Sequence, residues 1–379
     1  MTRLKFQKTL NKKLIAFLSI LSLFLSSPLI PANAAAKAGA KCNKAGITSI
    51  ASGKTFTCVK SGNKLIWNKG VKIKKSTQSD LVLPRPKSFD DLISKSDGIS
   101  YWAWKLAQER KTNIGKADVK FVISIGPNTK MTIKNYQEIL DLTANFYSNF
   151  PQPKTASVTF FDYPDVVWAQ QLDRANSSRP RPDEVSNSCK SAKLCNGGNA
   201  YVDPAGRGFS YVSSSATNLD YFQANGPVLA HEYFHNIQMY PIEIARAKGE
   251  KVVYMPDWVR EGSAHWFSVS LLNNDFEVIK KYQKNEAESD LYRTKFTAAQ
   301  VSEVLSINDG ISSNGWHAYS VGSKAIEALV VIKGVDSILD LYQEGAKGNS
   351  FEVAFKNVYG LSWNEAKPIL SQAIAQHYK

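Results

Sequence analysis

The segment HEYFH at residues 231–235 constrains the fold of this chain more than any other. It places two of the chain's five histidines, His231 and His235, four residues apart, with Glu232 beside the first. Side chains at positions i and i+4 share one face of an α-helix, so the segment predicts a helix that presents two imidazoles to one metal ion. Glu232 would lie on the flank of that face, where it could accept a proton from a water molecule that the metal activates. The alternative is a purely structural pair of histidines.

The residues around this pair predict where the helix starts and stops. Gly226 and Pro227 stand at its predicted start and Pro241 at its predicted end, because proline is favoured in the first turn of a helix and disrupts the interior. The longer zinc-binding pattern of the metzincins does not continue here. Its glycine position holds Gln238 and its last histidine position holds Pro241. The third protein ligand of a catalytic zinc site would therefore come from elsewhere.

A second predicted helix offers that ligand. It lies in MPDWVREGSAHWFS, residues 255–268, with Asp257 as its predicted N-cap. Glu261 follows one turn later, and a helix packed against the first could direct this carboxylate towards the metal. His265 shares a helix face with Glu261 and could replace it as the ligand. Three aromatic side chains of this segment are predicted to lie in the core: Trp258, Trp266 and Phe267.

The two motifs together resemble those of the gluzincin metallopeptidases, the peptidase MA-like group that includes thermolysin and the M1-type aminopeptidases. His231, Glu232 and His235 match H-E-x-x-H, and WVREGSAHW, which contains Glu261, looks like the W-x-x-E-G-x-A helix that carries the third ligand. The resemblance covers residues 115 to 379. It implies a thermolysin-like core in which the two histidines and Glu261 hold Zn²⁺, and in which Glu232 is the general base for peptide-bond hydrolysis.

The resemblance also implies a substrate-binding strand and a group that stabilises the oxyanion. In these enzymes an edge strand upstream of the first zinc helix binds extended substrate backbone, and the corresponding segment is predicted at residues 207–214. For the oxyanion, His317 and Tyr319 lie near the start of a later predicted helix. We favour Tyr319, because M1-like members place such a tyrosine at a similar distance after the third ligand.

Two features depart from the family pattern. Thermolysin-type enzymes place an aspartate four residues after the third ligand, where it supports a zinc-bound histidine, and this chain has His265 at that position. The G-x-M-E-N-type motif that binds a free amino terminus in M1 aminopeptidases is absent, which favours an endopeptidase. The alternative function is a non-catalytic, zinc-containing binding protein of the cell surface that retains the metallopeptidase scaffold.

The N-terminus predicts a secretory signal peptide. Residues 1–13 are basic and contain no acid, residues 14–25 are mainly apolar, and PANAAA provides a small-residue cleavage site after Ala34. The apolar run is short for a membrane span, which needs about 20 residues, although an uncleaved anchor is the alternative. The chain is therefore predicted to be secreted or associated with the cell surface.

The predicted export indicates how the four cysteines are used. An even number of cysteines in an exported chain favours disulfides, and local pairing would join Cys42 to Cys58 and Cys189 to Cys195. Three connectivities are possible from the sequence. A four-cysteine zinc site is the competing interpretation, and it is weakened because neither pair has C-x-x-C spacing.

The basic charge of the chain is concentrated at its N-terminus. Residues 1–34 contain five basic residues and residues 35–79 contain ten lysines, and neither segment contains an acid. Subtracting these 15 from the 47 basic residues leaves 32 against 33 acids, a net charge of −1 for residues 80–379. The lysine-rich segment suits an anionic wall polymer or lipid headgroups, or it is simply a solvated module. It contains no arginine cluster, so nucleic acid is not expected as a partner.

The order of predicted elements indicates an α+β architecture, with a mixed sheet followed by helices. The predicted domains are a signal peptide at 1–34, a two-cysteine module at 35–75, a linker and leading helix at 76–112, and the metallopeptidase domain at 113–379. The predicted elements of the main body are helices at 99–110, 132–150 and 165–176, strands at 117–126 and 155–163, a disulfide-closed loop at 177–200, and a hairpin at 200–215.

Overall fold

The computed structural model describes residues 37–42, 45, 48–51, 54–62, 64–72, 83–130, 133, 135–214, 222, 225–287, 296–306 and 317–377. The predicted signal peptide at 1–34 lies outside these residues. The chain divides into two compact units, Met1–Val82 and Leu83–Lys379. Within the described ranges, no helix has both the length and the apolar character needed to cross a bilayer.

The first unit contains a small antiparallel sheet. Its strands are β1 (Thr48–Ala51), β2 (Lys54–Ser61), β3 (Lys64–Trp67) and β4 (Val71–Lys72), with β2 paired to each of the other three. The core consists of little more than Phe56, Cys58 and Trp67. Such a core is too small to stabilise a fold alone, so a covalent link contributes much of the stability. The disulfide between Cys42 and Cys58 supplies that link and confirms the predicted pairing.

The second unit is built on a four-stranded mixed sheet. Its strands are β5 (Lys120–Ile125), β6 (Thr155–Phe161), β7 (Asn196–Val202) and β8 (Gly208–Ser214), in the spatial order β5-β6-β8-β7. The β5, β6 and β8 strands run parallel, and β7 is antiparallel to β8. Every residue of β8 is buried, as expected for a strand covered on both faces. The predicted α+β class is confirmed.

The predicted position of the edge strand is wrong. Residues 207–214 were expected at the edge, but β8 pairs with both β6 and β7 and therefore lies inside the sheet. The edge strand near the histidine helix is β7, which begins within the segment predicted as a loop. Its sequence starts Asn-Gly-Gly, and such residues have low strand propensity, so only pairing with β8 makes this segment a strand. The same predicted loop also contains a short helix, Pro182–Asn187.

The remaining elements of this unit are helical, and most of them follow the sheet, as predicted. The α-helices are α1 (Ile99–Lys111), α2 (Tyr136–Phe146), α3 (Val166–Asn176), α4 (Pro182–Asn187), α5 (Pro227–Ala247), α6 (Asp257–Leu272), α7 (Phe276–Ala287), α8 (Ala298–Val304), α9 (His317–Lys333), α10 (Ser337–Ala346), α11 (Phe351–Tyr359) and α12 (Trp363–His377). Short 3-10 turns occur at Phe89–Asp91, Ser96–Gly98 and Tyr163–Asp165.

Two predicted helix boundaries are wrong. Helix α5 does not end at Pro241 but continues to Ala247, with Pro241 inside it. A proline there removes one backbone hydrogen bond. The neighbouring Ile237 and Ile242 are fully buried in the core, and this packing holds the helix together across the gap. At the start of α6, Pro256 occupies the N-cap position, and Asp257 is the first helical residue.

Helices α6 and α9 cross with their backbones in contact. A Cβ atom added to Gly262 would lie 2.4 Å from the carbonyl carbon of Gly322, and one added to Gly322 would lie 2.6 Å from the carbonyl oxygen of Trp258. Only glycines permit so close an approach. The crossing brings residue 261 of one helix and residue 319 of the other to a shared cleft. The aromatic residues predicted for the core, Trp258, Trp266 and Phe267, are all buried.

We expect Gly262→Ala to separate these two helices. The added methyl group overlaps the Gly322 backbone, which cannot rotate away as a side chain would. Thermal or urea unfolding should show a loss of about 1–3 kcal/mol in the free energy of unfolding, and the folded variant should bind metal more weakly because Glu261 shifts. Gly345→Ala is the matched control, since its Cβ would lie 2.4 Å from the carbonyl oxygen of Val253, outside the cleft. Equal loss of metal affinity in both variants would contradict a local effect.

Candidate metal centre

Three side chains from two helices converge at one point. His231 and His235 extend from α5 and Glu261 from α6, and their ligand atoms form the one potential metal-binding group found among the described residues. The Nε2 atoms of the two histidines lie 3.0 Å apart, and Glu261 Oε2 lies 3.3 Å from each of them. Both histidines are buried, and the Glu261 side chain is 14% exposed. The predicted cluster of two histidines and this carboxylate is therefore present.

The spacing of these atoms fits a small divalent cation. Four ligands placed tetrahedrally at 2.0–2.1 Å around zinc are separated from one another by about 3.3–3.4 Å. The three observed separations are close to that value, and the donor set of two imidazole nitrogens and one carboxylate oxygen is typical of catalytic zinc. Three protein ligands also leave a fourth position for water or substrate. The residues present therefore fit a metal ion of the zinc type.

Gln238 orients one of the two imidazoles. The Nδ1–H group of His235 donates a hydrogen bond of 2.7 Å to Gln238 Oε1, which leaves the Nε2 lone pair directed at the cluster. The Gln238 amide is itself fixed, because its Nε2 donates to Ser263 Oγ at 2.6 Å and to the Arg260 carbonyl oxygen at 3.1 Å. This residue thus connects α5 to α6 directly beneath the ligands.

We expect Gln238→Leu to weaken metal binding by about 10–100-fold, the usual effect of removing the hydrogen-bond partner of a ligating histidine. Leucine fills the same buried space but cannot accept from His235, so the imidazole loses its preferred tautomer and orientation. Titration of zinc into metal-free protein against a competing chelator measures the change. Gln238→Glu retains the accepting oxygen and should bind metal more tightly than the leucine variant. Equal affinities for the two variants would show that the hydrogen bond has no such role.

Arg260 holds the second oxygen of Glu261. Its guanidinium lies 3.1 Å from Glu261 Oε1 and 2.9 Å from Asp257 Oδ1, while Glu261 Oε2 faces the histidines. One carboxylate oxygen is thus held by Arg260, and the other faces the two histidine nitrogens, where a metal ion would bind. The sequence drew attention to Glu261 but not to Arg260, because the importance of Arg260 depends on which oxygen it contacts.

The charges in the cluster suit cation binding. Burial lowers the pKa of His231 to about 4, so its imidazole is neutral and able to ligate at neutral pH. Burial alone would raise the pKa of Glu261, but His235, His231 and Arg260 hold that pKa well below its usual range. At His235 the effect of burial is outweighed by the Glu261 carboxylate, which raises the pKa of the imidazole. An anionic carboxylate beside two imidazoles is the charge pattern that a divalent cation prefers.

Glu232 lies in the same cleft but is not part of the ligand cluster. The cleft has a volume of about 260 Å³ and is lined by residues 198–202 of β7 together with Glu232, His235, Glu261 and Tyr319. Burial raises the pKa of the Glu232 carboxyl to about 8. A carboxylate with a raised pKa beside a metal cluster is suited to accepting and returning a proton near neutral pH.

Gly198 of the edge strand lies directly against Glu232. A Cβ atom added to Gly198 would lie 2.2 Å from Glu232 Oε1 and 2.3 Å from its carboxyl carbon. The absence of a side chain at this position therefore lets the β7 backbone pass over the carboxylate. Gly198 is not among the site residues predicted from the sequence. Its signal was the Gly-Gly pair at the start of the strand, since glycine within a strand often marks a close approach of another group.

We expect Gly198→Ala to leave metal binding intact and to slow, by about 100-fold, any reaction in which Glu232 takes up a proton. The methyl group would displace either the strand or Glu232 by about an ångström, and displacements of this size at a catalytic group cost about that factor. Gly197→Ala is the matched control on the same strand, because its Cβ would lie 3.5 Å from the nearest atom, an ordinary contact. Steady-state kinetics and metal content of both variants test the prediction, and similar activities for the two would contradict it.

The two candidates for oxyanion stabilisation occupy different places. Tyr319 lines the cleft, and its ring stacks on His231 with the ring centres 5.8 Å apart. Burial, Glu261 and Glu232 raise the pKa of Tyr319 well above its usual value, so its hydroxyl keeps its proton and can donate. His317 is buried with its ring 5.0 Å from that of Phe296 and does not line the cleft.

His265 does not join the ligand cluster. Its Nε2 atom lies 2.7 Å from Glu286 Oε1 of α7, and its ring centre is 6.4 Å from that of His231. Among the described residues, Glu261 belongs to the group that could hold a metal ion and His265 does not. His265 also does not supply the support that an aspartate gives in thermolysin-type enzymes, because the buried Nδ1 atom of His231 has no hydrogen-bond partner among the described residues.

The second disulfide stabilises the entry to the edge strand. Cys189 and Cys195 are bonded, as predicted, and Cys195 immediately precedes β7. Farther along the strand, the buried Asp173 carboxylate accepts hydrogen bonds from the hydroxyls of Tyr201 and Tyr211. These contacts hold β7 in place on the far side of the sheet from Glu232.

Comparison of the chain with known protein families gives no match, and comparison with the curated proteins gives none either. Any assignment of function therefore depends on the motifs and the geometry of this chain itself. What these establish is a buried group of two histidines and one glutamate, spaced to hold a metal ion in a cleft beside a second carboxylate.

Proposed function

We propose that this protein is an exported zinc metallopeptidase of the gluzincin type that hydrolyses peptide bonds within a polypeptide chain. The observation that carries the proposal is the convergence of His231, His235 and Glu261 within 3.3 Å of one another, with Glu232 in the same cleft. Export is supported by the signal-peptide pattern of residues 1–34 and by the two disulfides, which are typical of oxidising compartments.

The ligand residues and Glu232 have separate tasks in this proposal. His231, His235 and Glu261 would hold the zinc ion. When bound, such an ion acts as a Lewis acid and lowers the pKa of water towards neutrality. Glu232 accepts the proton of the attacking water and later returns it to the leaving amine. The carboxyl group of Glu232 is available for both steps because it lines the cleft without belonging to the ligand group.

Tyr319 and β7 complete the proposed site. The Tyr319 hydroxyl, which retains its proton, donates to the negative charge that develops on the carbonyl oxygen of the substrate. Strand β7 is at the edge of the sheet and lines the cleft, so its outward backbone groups can pair with an extended peptide. A substrate bound in this way presents its backbone to Glu232, beside which Gly198 provides the necessary space.

The proposal is tested by metal analysis and peptide cleavage on the mature chain. One zinc ion per chain is expected, together with cleavage of a broad peptide library and of casein, lost with a chelator and restored by added zinc. Internal cleavage sites would identify an endopeptidase, and stepwise removal of N-terminal residues would identify an aminopeptidase. One bound zinc with no hydrolysis would instead support the non-catalytic binding protein, and absence of metal would contradict both.

A further inference from the structure

The small N-terminal unit carries a dense positive charge that its own residues do not neutralise. Residues 35–79 contain ten lysines and no acidic residue. Five of these lysines are described as exposed: Lys37, Lys41, Lys60, Lys64 and Lys69. Lysines on the larger unit provide a contrast, because several of them form ion pairs with a carboxylate three or four residues away. A solvated module that only had to stay soluble would not need such one-sided charge.

The lysines are distributed over both faces of the small sheet. Lys41 pairs with Ile66 through an isolated backbone β-bridge, and paired residues of neighbouring strands share a face of the sheet. Lys64 lies two residues before Ile66 on the same strand, so Lys41 and Lys64 both lie on the face opposite the disulfide. Lys60 is paired with Leu65 and lies on the other face, which also carries Cys58 and Trp67. A flat bilayer could meet only one of these faces at a time, whereas a flexible polymer can contact both.

The module offers charge but few other means of recognition. Its large aromatic side chains, Phe56 and Trp67, are buried in the core and cannot stack on a ligand. Residues 35–79 contain no arginine. The module therefore lacks the guanidinium group that forms bidentate hydrogen bonds with a guanine base or a single phosphate. Lysine acts as a flexible point charge. The chemistry therefore fits a repeating anion more closely than a defined ligand or a base sequence.

We propose that the Cys42–Cys58 module binds a base-free polyanionic polymer that carries phosphate groups along its chain, and thereby localises the protein. The disulfide keeps the lysines on a compact scaffold, so the polymer meets a fixed charge cluster. Counterions released from the polymer drive the association, and the affinity consequently falls with salt. This function is independent of the proposed peptidase activity, because it uses none of the residues of the cleft.

The test compares two variants of the full mature chain with the same change in charge. The first replaces four exposed lysines of the module, Lys41, Lys60, Lys64 and Lys69, with glutamine. The control replaces four lysines of the larger unit that already face a carboxylate: Lys105, Lys154, Lys280 and Lys347. Binding to long-chain inorganic polyphosphate is titrated at several salt concentrations, and thermal unfolding verifies that both variants are folded.

The wild type and the control should bind polyphosphate with similar affinities and similar salt dependences. The module variant should bind about 100-fold or more weakly, and the slope of log affinity against log salt should decrease by about 3, since each lysine lost removes about 0.7. Casein cleavage should be unchanged, so a failure here is distinguishable from a failure of the peptidase proposal. Equal losses in the two variants, or binding to phosphatidylglycerol vesicles but not to polyphosphate, would overturn the proposal.

Discussion

Glu232→Gln is expected to lose most of the peptide hydrolysis while keeping its metal. The Glu232 carboxylate lies in the cleft beside the cluster but is not one of the three converging ligands, so about one metal ion per chain should remain. Glutamine has nearly the same shape and cannot accept a proton. Since a positioned acid–base group contributes about 10²–10⁴-fold, kcat should fall by that factor with little change in substrate binding. Kinetics and metal analysis on the same sample measure both quantities.

Glu184→Gln is the matched control for this experiment. Glu184 also lines the cleft, but its side chain is 42% exposed and lies 3.3 Å from Arg181. Its replacement makes the same exchange of a carboxyl group for an amide without touching the cluster, so activity should stay within a few-fold of the wild type. Full activity in Glu232→Gln would show that another group accepts the proton. Equal losses in the two variants would mean that the cleft needs negative charge rather than a base at one position.

The parts of this site that could be predicted are those encoded locally. His231 and His235 share a helix face because of their spacing alone, and no tertiary contact is needed to bring them together. The two disulfides join cysteines that are near in sequence, 16 and 6 residues apart, which is why local pairing was a sound expectation. Glu261 belongs to a different helix. Its selection over His265 needed the resemblance to a known motif, and the structure places it in the cluster.

The parts that could not be predicted depend on packing between distant segments. Pro241 normally ends a helix, but buried neighbours on both sides carry α5 past it. Strand β7 starts with residues of low strand propensity and exists because β8 pairs with it. The contact of Gly198 with Glu232 joins segments 34 residues apart. The need for glycine at position 198 can be recognised only once the folded chain places the Glu232 carboxylate against the strand. In each case the local preference is weaker than the tertiary contact that opposes it.

Glu261→Ala should remove nearly all bound metal. Its Oε2 atom completes the triangle with the two histidine nitrogens, and no other carboxylate among the described residues belongs to this group. Losing the hydrogen-bond partner of a ligand costs about 10–100-fold in affinity, and losing a ligand should cost more. Zinc should therefore dissociate on dialysis, and hydrolysis should disappear with it. Because Arg260 then loses a partner as well, unfolding should be measured to verify that the variant remains folded.

His265→Gln provides the contrast that makes this prediction specific. His265 lies one turn further along α6 and faces Glu286, to which a glutamine amide can still donate. If Glu261 is the ligand, His265→Gln should retain about one metal ion per chain while Glu261→Ala retains almost none. The reverse result would make His265 the third ligand. It would also require α6 to rotate when metal binds, because the His265 ring is now directed towards α7 rather than towards the cluster.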